Sequence, residues 1–227
     1  MGTTLSSIYN YVSSTSTSTT KPLIIVTGLD AAGKTTIVDR YLGGGGRAAG
    51  PHQYQSSICQ NREHNTNYGS SSNTSRSFYK VADTSFSPFE FELFDIGNCA
   101  RLHFLISPRF HLADAIVFVV DANDTNRLSE AASFLHEVVH DAAYLLQDSK
   151  NANCPVLIFL NKVDLPGALS EEDMREGLRL DELEKKCSCV KEEDGQEKIR
   201  SFKVQIASAV KNYGVTEGMN WLRKQLL

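Results

Sequence analysis

One stretch decides the fold of this chain: Gly28-Leu29-Asp30-Ala31-Ala32-Gly33-Lys34-Thr35-Thr36. It fits the pattern G-x-x-x-x-G-K-[ST], which wraps backbone N–H groups around an anion. The apolar run LIIV at residues 23–26 precedes it and has the composition of a buried parallel strand. Residues 36–42 follow it and suit a helix, whose N-terminus adds partial positive charge. Strand, loop and helix together predict a site for phosphate groups.

Each kind of residue in this loop has a chemical role toward a phosphate. Gly28 and Gly33 allow the backbone to turn its N–H groups inward. The Lys34 ammonium can reach the β- and γ-phosphates of a nucleotide, and the Thr35 hydroxyl can ligate Mg²⁺. The predicted phosphate site therefore consists of Gly28, Asp30, Ala31, Ala32, Gly33, Lys34, Thr35 and Thr36.

A second motif follows a later apolar run and indicates which base is bound. The run VLIFL at residues 156–160 leads directly into Asn161-Lys162-Val163-Asp164, in the order Asn-Lys-x-Asp. A carboxylate at Asp164 accepts hydrogen bonds from guanine N1–H and the exocyclic amine, whereas adenine offers neither in that arrangement. The stem of Lys162 can cover the base, and Asn161 can tie this loop to the phosphate loop. Alone, the same four residues also suit an ordinary polar turn after a buried strand.

Four stretches of the chain resemble the ADP-ribosylation factor (Arf) family of small GTPases, including its Arf-like members. They are GLDAAGKTT at 28–36, VVDAND at 119–124, NKVDLP at 161–166 and GMNWL at 218–222. The resemblance extends over residues 21–42, 89–181 and 200–227. It implies an α/β fold of the P-loop NTPase class, the small G-protein fold. Its GTP-binding domain would span residues 21–227, with a mostly parallel six-stranded sheet flanked by helices.

The resemblance also implies a function and further site residues. An Arf-like protein is a membrane-directed guanine-nucleotide switch in vesicle or protein trafficking, which binds GTP or GDP together with Mg²⁺. Its partners are a guanine-nucleotide exchange factor, a GTPase-activating protein and effector proteins. By the same resemblance, Asp95 holds Mg²⁺ through water and the Gly97 N–H meets the γ-phosphate. Ser208 and Ala209 form the loop whose backbone N–H meets guanine O6.

The chain departs from the family at the position of the catalytic glutamine. Family members continue the Asp-x-Gly element with Gly-Gln, whereas Asn98 and Cys99 stand here. That glutamine orients the attacking water, and a cysteine cannot do the same. We therefore expect hydrolysis of GTP to GDP to be slow. The alternative is a GTP-binding adaptor with little or no hydrolysis.

Two segments interrupt the family pattern. Residues 43–77 begin with consecutive glycines and stay polar, which predicts a flexible switch I region with an insertion. The family threonine that closes on Mg²⁺ from this region has no clear copy, and Ser57 fits its place best. Residues 187–199 are polar and charged, and they predict an exposed insertion.

The N-terminal segment, residues 1–20, carries no charged side chain and begins MGTTLS, the N-myristoylation pattern at Gly2. Apolar residues then recur at the spacing of one helix face, namely Leu5, Ile8, Tyr9 and Val12. This combination predicts an acylated amphipathic segment that binds a membrane surface, followed by a Ser/Thr-rich tether. The implied location is cytoplasmic and peripheral to the Golgi or another endomembrane. The alternative is a disordered tail that happens to begin Met-Gly.

The composition limits which classes of protein and which cellular settings fit this chain. The chain has 227 residues, 41% hydrophobic and 22% charged, which suits one α/β domain. A net charge of −4 argues against a general nucleic-acid binder, so we expect no nucleic-acid partner. Five scattered cysteines indicate a reducing, cytosolic setting. The sequence shows no secretory signal and no apolar run long enough to span a bilayer.

A rival motif lies within the long amphipathic helix predicted at residues 127–146. The segment His136-Glu137-Val138-Val139-His140 fits H-E-x-x-H, which binds zinc in metalloproteases with the Glu as general base. A zinc protease also needs a third ligand, and no downstream signature supplies one. In the Arf-like interpretation this helix lies on the sheet and both histidines face solvent.

Overall fold

The computed structural model describes residues 21–43, 54–56, 77–81, 87–95, 112–145, 154–188, 190–191, 197–198 and 201–227. Its strands are β1 (Leu23–Thr27), β2 (Tyr54–Ser56), β3 (Ser77–Val81), β4 (Glu90–Asp95), β5 (Ala115–Asp121), β6 (Val156–Asn161), β7 (Val190–Lys191), β8 (Glu197–Lys198) and β9 (Phe202–Ile206). Its α-helices are α1 (Lys34–Gly43), α2 (Leu128–Leu145), α3 (Glu171–Gly177), α4 (Leu180–Ser188) and α5 (Val215–Leu226). A short 3-10 turn, Thr125–Arg127, leads into α2.

The main sheet has the strand order β2-β3-β4-β1-β5-β6-β9. From β4 to β9 in this order all neighbouring strands are parallel, while β2 and β3 are added antiparallel at one edge. The predicted α/β class with a mostly parallel sheet is therefore confirmed. Because the parallel strands end at the same edge, the loops after β1, β5, β6 and β9 meet there.

Among the described residues, this sheet contains seven strands where we predicted six. The additional strand is β2, which lies inside the region 43–77 that we expected to be flexible. It pairs with β3, with Tyr54 opposite Val81 and Ser56 opposite Tyr79. Antiparallel pairing at a sheet edge uses only backbone N–H and C=O groups. A polar segment with no apolar run can therefore form such a strand without leaving a sequence signal.

The central parallel strands β1, β5 and β6 are buried on both faces, as their unbroken apolar runs predict. All residues of β6 and nearly all of β5 are buried. On one face the core continues into α2, α3 and α4, where Phe134 packs against Phe118 with ring centroids 5.4 Å apart. On the other face α1 and α5 close the core, with Ile37 and Leu222 fully buried.

The last helix, α5, packs one face against the sheet. Val215, Met219 and Leu222 are each at most 2% exposed. Gly214 begins the helix with a φ of 75°, a conformation that favours glycine. A Cβ added at Gly218 would lie 2.6 Å from the ring of Phe159. The helix can therefore approach β6 closely only because no side chain stands at that position.

Regular structure also occurs within residues 187–199, which we predicted to form an insertion. Helix α4 extends to Ser188, and β7 pairs antiparallel with β8, with Val190 opposite Lys198.

Across the described ranges of the chain, no helix has both the length and the apolar character needed to cross a bilayer.

Candidate nucleotide-binding site

The phosphate loop connects β1 to α1 and depends on two glycines. Gly28 has a φ of +133° and Gly33 a φ of +95°, both unfavourable for residues with a side chain. A Cβ at Gly28 would lie 2.2 Å from the carbonyl oxygen of Val119, and one at Gly33 would lie 2.4 Å from Nδ2 of Asn161. The loop therefore fits tightly between the ends of β5 and β6, and both glycines are required by space as well as by conformation.

Lys34 places its ammonium group inside the phosphate loop. Its Nζ donates to the carbonyl oxygens of Gly28 at 3.0 Å and Leu29 at 2.7 Å, and the residue is only 5% exposed. Thr35 and Thr36, which follow at the start of α1, are exposed. The loop thus holds a buried positive charge beside accessible hydroxyl groups, which suits a phosphate with a coordinated Mg²⁺.

Asp30, in the same loop, pairs with an arginine that sequence reasoning did not identify. Its Oδ1 accepts from Nη1 of Arg127 at 2.5 Å, and Arg127 also contacts Oδ2 of Asp124 at 2.6 Å. The hydrogen bonds to Asp124 and Asp30 raise the pKa of the Arg127 guanidinium above its already high ordinary value. The only sequence signal was the spacing of Asp124 and Arg127, which suits a pair on one turn of a helix.

Asn161 joins the phosphate loop to the loops that we expect to bind the base. Its side-chain Nδ2 donates to the carbonyl oxygen of Ala32 at 2.9 Å, so the predicted tie between the two loops is present. Its Oδ1 accepts from the backbone N–H of Ala209 at 3.1 Å. Because Asn161 is only 2% exposed, both hydrogen bonds lie in the interior.

Lys162 is held by a carboxylate that was absent from the predicted site. It adopts a φ of 65°, and its Nζ contacts Oδ2 of Asp121 at 2.6 Å. The other oxygen of Asp121 accepts from the backbone N–H of Asn123 at 2.9 Å. Asp121 and Asn161 are aligned at the ends of the paired strands β5 and β6, which brings the two loops together. An acidic residue directly after an apolar run was the available signal.

Asp164 lies beside the Ser208 loop, as a shared base site requires. A hydrogen bond from the Ser208 side chain is the main cause that lowers the pKa of the Asp164 carboxyl below its ordinary value. The carboxylate is therefore charged at neutral pH and able to accept from N–H groups. The Ser208 oxygen also accepts from the Lys211 N–H at 3.1 Å, and backbone bonds between Ser208 and Tyr213 close the loop.

Several predicted site residues lie outside the described residues: Gly2, Ser57, Gly97, Asn98 and Cys99. Asp95 is the last residue of β4. Strand β4 pairs in parallel with β1, with Leu93 opposite Val26. The backbone of Asp95 therefore lies at the edge of the sheet from which the phosphate loop emerges.

The H-E-x-x-H segment forms part of α2, but its first histidine does not face solvent as predicted. His136 is partly buried, and its Nε2 lies 3.1 Å from the carbonyl oxygen of Leu178. The junction of α3 and α4 covers this side of α2, which the helical spacing alone could not show. His140 is exposed. Among the residues that the structure describes, no group of three His, Cys, Asp or Glu side chains is arranged to hold a metal ion.

The strand order, the phosphate loop and the Asn-Lys-x-Asp loop define a P-loop protein with the small-GTPase fold. Residues 69–226 match the family model described as the ADP-ribosylation factor family. ADP-ribosylation factor-like protein 1 of Saccharomyces cerevisiae is 30% identical over 203 residues, covering 88% of this chain and 84% of that protein. The chain belongs to the ADP-ribosylation factor family of small GTPases.

A further relative and a solved structure are also similar to this chain. ADP-ribosylation factor-like protein 3 of Chlamydomonas reinhardtii is 29% identical over 203 residues, covering 89% of each chain. The solved structure of the Arl6 BBS3 small GTPase from Trypanosoma brucei, with the bound nucleotide analogue GppNp, is similar in fold. It matches with a TM-score of 0.59 at 22% identity and covers 91% of this chain and 98% of that one.

Proposed function

We propose that this protein binds GTP and GDP at the described edge of the sheet and acts as a membrane-directed switch. One observation carries the proposal: Asn161 bonds to Ala32 in the phosphate loop and to Ala209 in the loop after β9. A single buried side chain thus fixes the spacing between a phosphate-binding loop and a base-binding loop. In a nucleotide the charged phosphates and the aromatic base are likewise held apart, so each could occupy one of these loops.

The phosphate end of the proposed site is formed by the loop from Gly28 to Thr36. Its glycines leave a cradle that a Cβ would obstruct, and the ammonium of Lys34 lies within it. Thr35 would hold Mg²⁺ through its hydroxyl, and Asp95 would contact the same ion through water. Ser57 and the Gly97 N–H complete the proposed contacts to the metal ion and the γ-phosphate. Bound Mg²⁺ neutralises phosphate charge as it develops during hydrolysis.

The base end of the proposed site selects guanine. The charged carboxylate of Asp164 would accept from N1–H and the exocyclic amine, while the Ala209 N–H, which donates to Asn161 Oδ1, would share its hydrogen with O6. Lys162 covers one face of the base with its stem, and its contact with Asp121 holds this stem in place. Adenine offers neither the donors nor the acceptor in this arrangement, so the site rejects it.

Slow hydrolysis is part of the proposal, because Cys99 stands where the family has its glutamine. A cysteine offers one weak S–H donor on a shorter stem and cannot orient water as an amide does. A second candidate, a GTP-binding adaptor with little or no hydrolysis, rests on the same residue.

The proposed cellular role follows the family. Acylation at Gly2 and the apolar face of residues 1–20 would attach the protein reversibly to an endomembrane, such as the Golgi. There the GTP form would recruit effector proteins in vesicle or protein trafficking. An exchange factor would load GTP, and a GTPase-activating protein would return the switch to its GDP form. The protein would otherwise be cytoplasmic.

Nucleotide selectivity tests the proposed function directly. The purified full chain is expected to bind GTP and GDP but not ATP, and Lys34→Ala is expected to abolish binding because it removes the charge that faces the phosphates. Competition against a fluorescent GDP measures both. Lys224→Ala changes an exposed lysine on α5 and is the matched control, with unchanged affinity expected. Equal affinity of the native protein for ATP would overturn the proposal.

A further inference from the structure

Arg40 on α1 contacts the loop that follows β9. Its Nε donates to the carbonyl oxygen of Ala209 at 2.9 Å, and its Nη2 donates to that of Val210 at 3.0 Å. Two donors of one planar guanidinium therefore bind two successive backbone carbonyls. The fixed geometry of arginine suits such paired acceptors, whereas a lysine ammonium offers only a point charge.

The loop depends on polar contacts because little apolar packing holds its outer side. Val210 is 71% exposed and Tyr213 is 52% exposed. Ala209 itself is buried, and both of its peptide groups are bonded: its N–H to Asn161 Oδ1 and its C=O to Arg40 Nε. These two bonds fix the Ala209 backbone at its N–H and at its C=O.

The helix that carries Arg40 begins in the phosphate loop. Lys34 is its first residue, and Arg40 lies about 9 Å further along the helix axis. α1 therefore contributes to the phosphate site at its start and to the loop of Ala209 near its end.

We propose that Arg40 is a positioning residue for base recognition. It holds the backbone so that the Ala209 N–H faces the side of the loop where Asn161 lies and where the base would bind. Arg40 thereby favours bases with an oxygen acceptor at position 6. This inference rests on the proposed binding of guanine nucleotides and adds a residue that controls their selection.

The test compares release of two nucleotides from the full chain. GDP carries an oxygen at position 6, while 6-thioguanosine diphosphate keeps N1–H and the amine but presents sulfur, a weaker acceptor. The native protein is expected to release the thio analogue faster than GDP. In Arg40→Met, which keeps an apolar stem without donors, the ratio of the two rates is expected to fall by about three- to tenfold, the effect of one hydrogen bond. The ratio of release rates in Arg40→Lys is expected to lie between that of the native protein and that of Arg40→Met.

Arg175→Met is the matched control for this experiment. Arg175 also joins two segments through its guanidinium, contacting Glu184 at 2.7 Å, but it links α3 to α4 rather than the loop of Ala209. Its substitution is expected to leave the ratio of release rates unchanged. Melting temperatures without nucleotide show which variants fold, and if Arg40→Met does not fold, the ratio in Arg40→Lys decides.

The outcomes separate the two proposals. If Arg40→Met releases both nucleotides faster by the same factor, the arginine only stabilises the fold and the inference is overturned. If the native protein binds GDP but does not distinguish the thio analogue, the inference also fails while guanine-nucleotide binding stands. If the native protein binds neither, the proposed function itself fails. A lowered ratio confined to the Arg40 variants supports the inference.

Discussion

Asp30 adds a negative charge to a loop that is proposed to hold phosphates, and Arg127 neutralises it. The two side chains are in direct contact, and Asp124 holds the arginine from the other side. Charges this close to a bound nucleotide act within one Debye length, about 8 Å at physiological ionic strength. GTP carries more negative charge than GDP, so it is more sensitive to an unpaired carboxylate in the loop.

Arg127→Gln is therefore expected to weaken GTP binding more than GDP binding. Because the pair is partly exposed, the extra loss for GTP should be about two- to fivefold. Titration of the variant with each nucleotide measures it. The double variant Asp30→Asn with Arg127→Gln is expected to recover the native preference, since it removes both charges. Equal losses for the two nucleotides would contradict this account.

Ser208 controls the charge of Asp164 in the acidic range. Its hydrogen bond lowers the pKa of the Asp164 carboxyl below the ordinary value of about 4, so the charged form persists to lower pH than in a free aspartate. The contribution of Asp164 to GDP binding is lost only as the pH falls below that value. Ser208→Ala removes the main cause of the lowered pKa and should move this loss to higher pH. GDP affinity measured from pH 7 downward checks it, with Ser201→Ala as the control.

Helix α5 is fixed to the sheet by the contact between Gly218 and Phe159. A methyl group at this position would meet the buried ring at 2.6 Å, so the helix or the ring must shift. Gly218→Ala is expected to lower the free energy of unfolding by about 1–3 kcal/mol, the usual effect of overpacking a core. Chemical denaturation measures the change. Glu217→Ala alters an exposed neighbour on the same helix and should have little effect. An unaltered stability of Gly218→Ala would show that the helix can move outward freely.

Hydrolysis depends on several parts of the protein acting together. The native intrinsic rate is expected at or below about 10⁻⁴ s⁻¹, the scale of a small GTPase without an activating partner. Cys99→Gln alone should recover little, because the Cβ of Asn98 can displace the backbone N–H that meets the γ-phosphate. Asn98→Gly with Cys99→Gln should recover more than the two single changes combined, since neighbouring sites are not additive.

Single-turnover hydrolysis on the native protein and these three variants provides the measurement. A native rate above about 10⁻³ s⁻¹ without a partner would show that another residue orients the water. In that case the assignment of Cys99 would be wrong. An undetectable rate in all four proteins would instead favour the adaptor function.

The sequence alone determined the elements whose signal is local. The loop from residue 28 to residue 36 and the long helix α2, predicted at residues 127–146 and observed at Leu128–Leu145, follow from apolar runs and helical spacing. The Asn-Lys-x-Asp loop was also identified at the end of its strand. Such patterns reflect which apolar side chains a segment buries, and their spacing depends mainly on the residues of that segment.

Only the tertiary structure decided which side chains join these elements. Arg127 contacts Asp30 across 97 positions of the chain, and Arg40 contacts Ala209 across 169. Likewise, the packing of α3 and α4 against α2 turned His136 away from solvent. A side-chain pair of this kind depends on the angles at which helices cross the sheet and on which loops meet at its edge. Local periodicity does not encode those distances, so the contacts that shape the site appear only when the chain is folded.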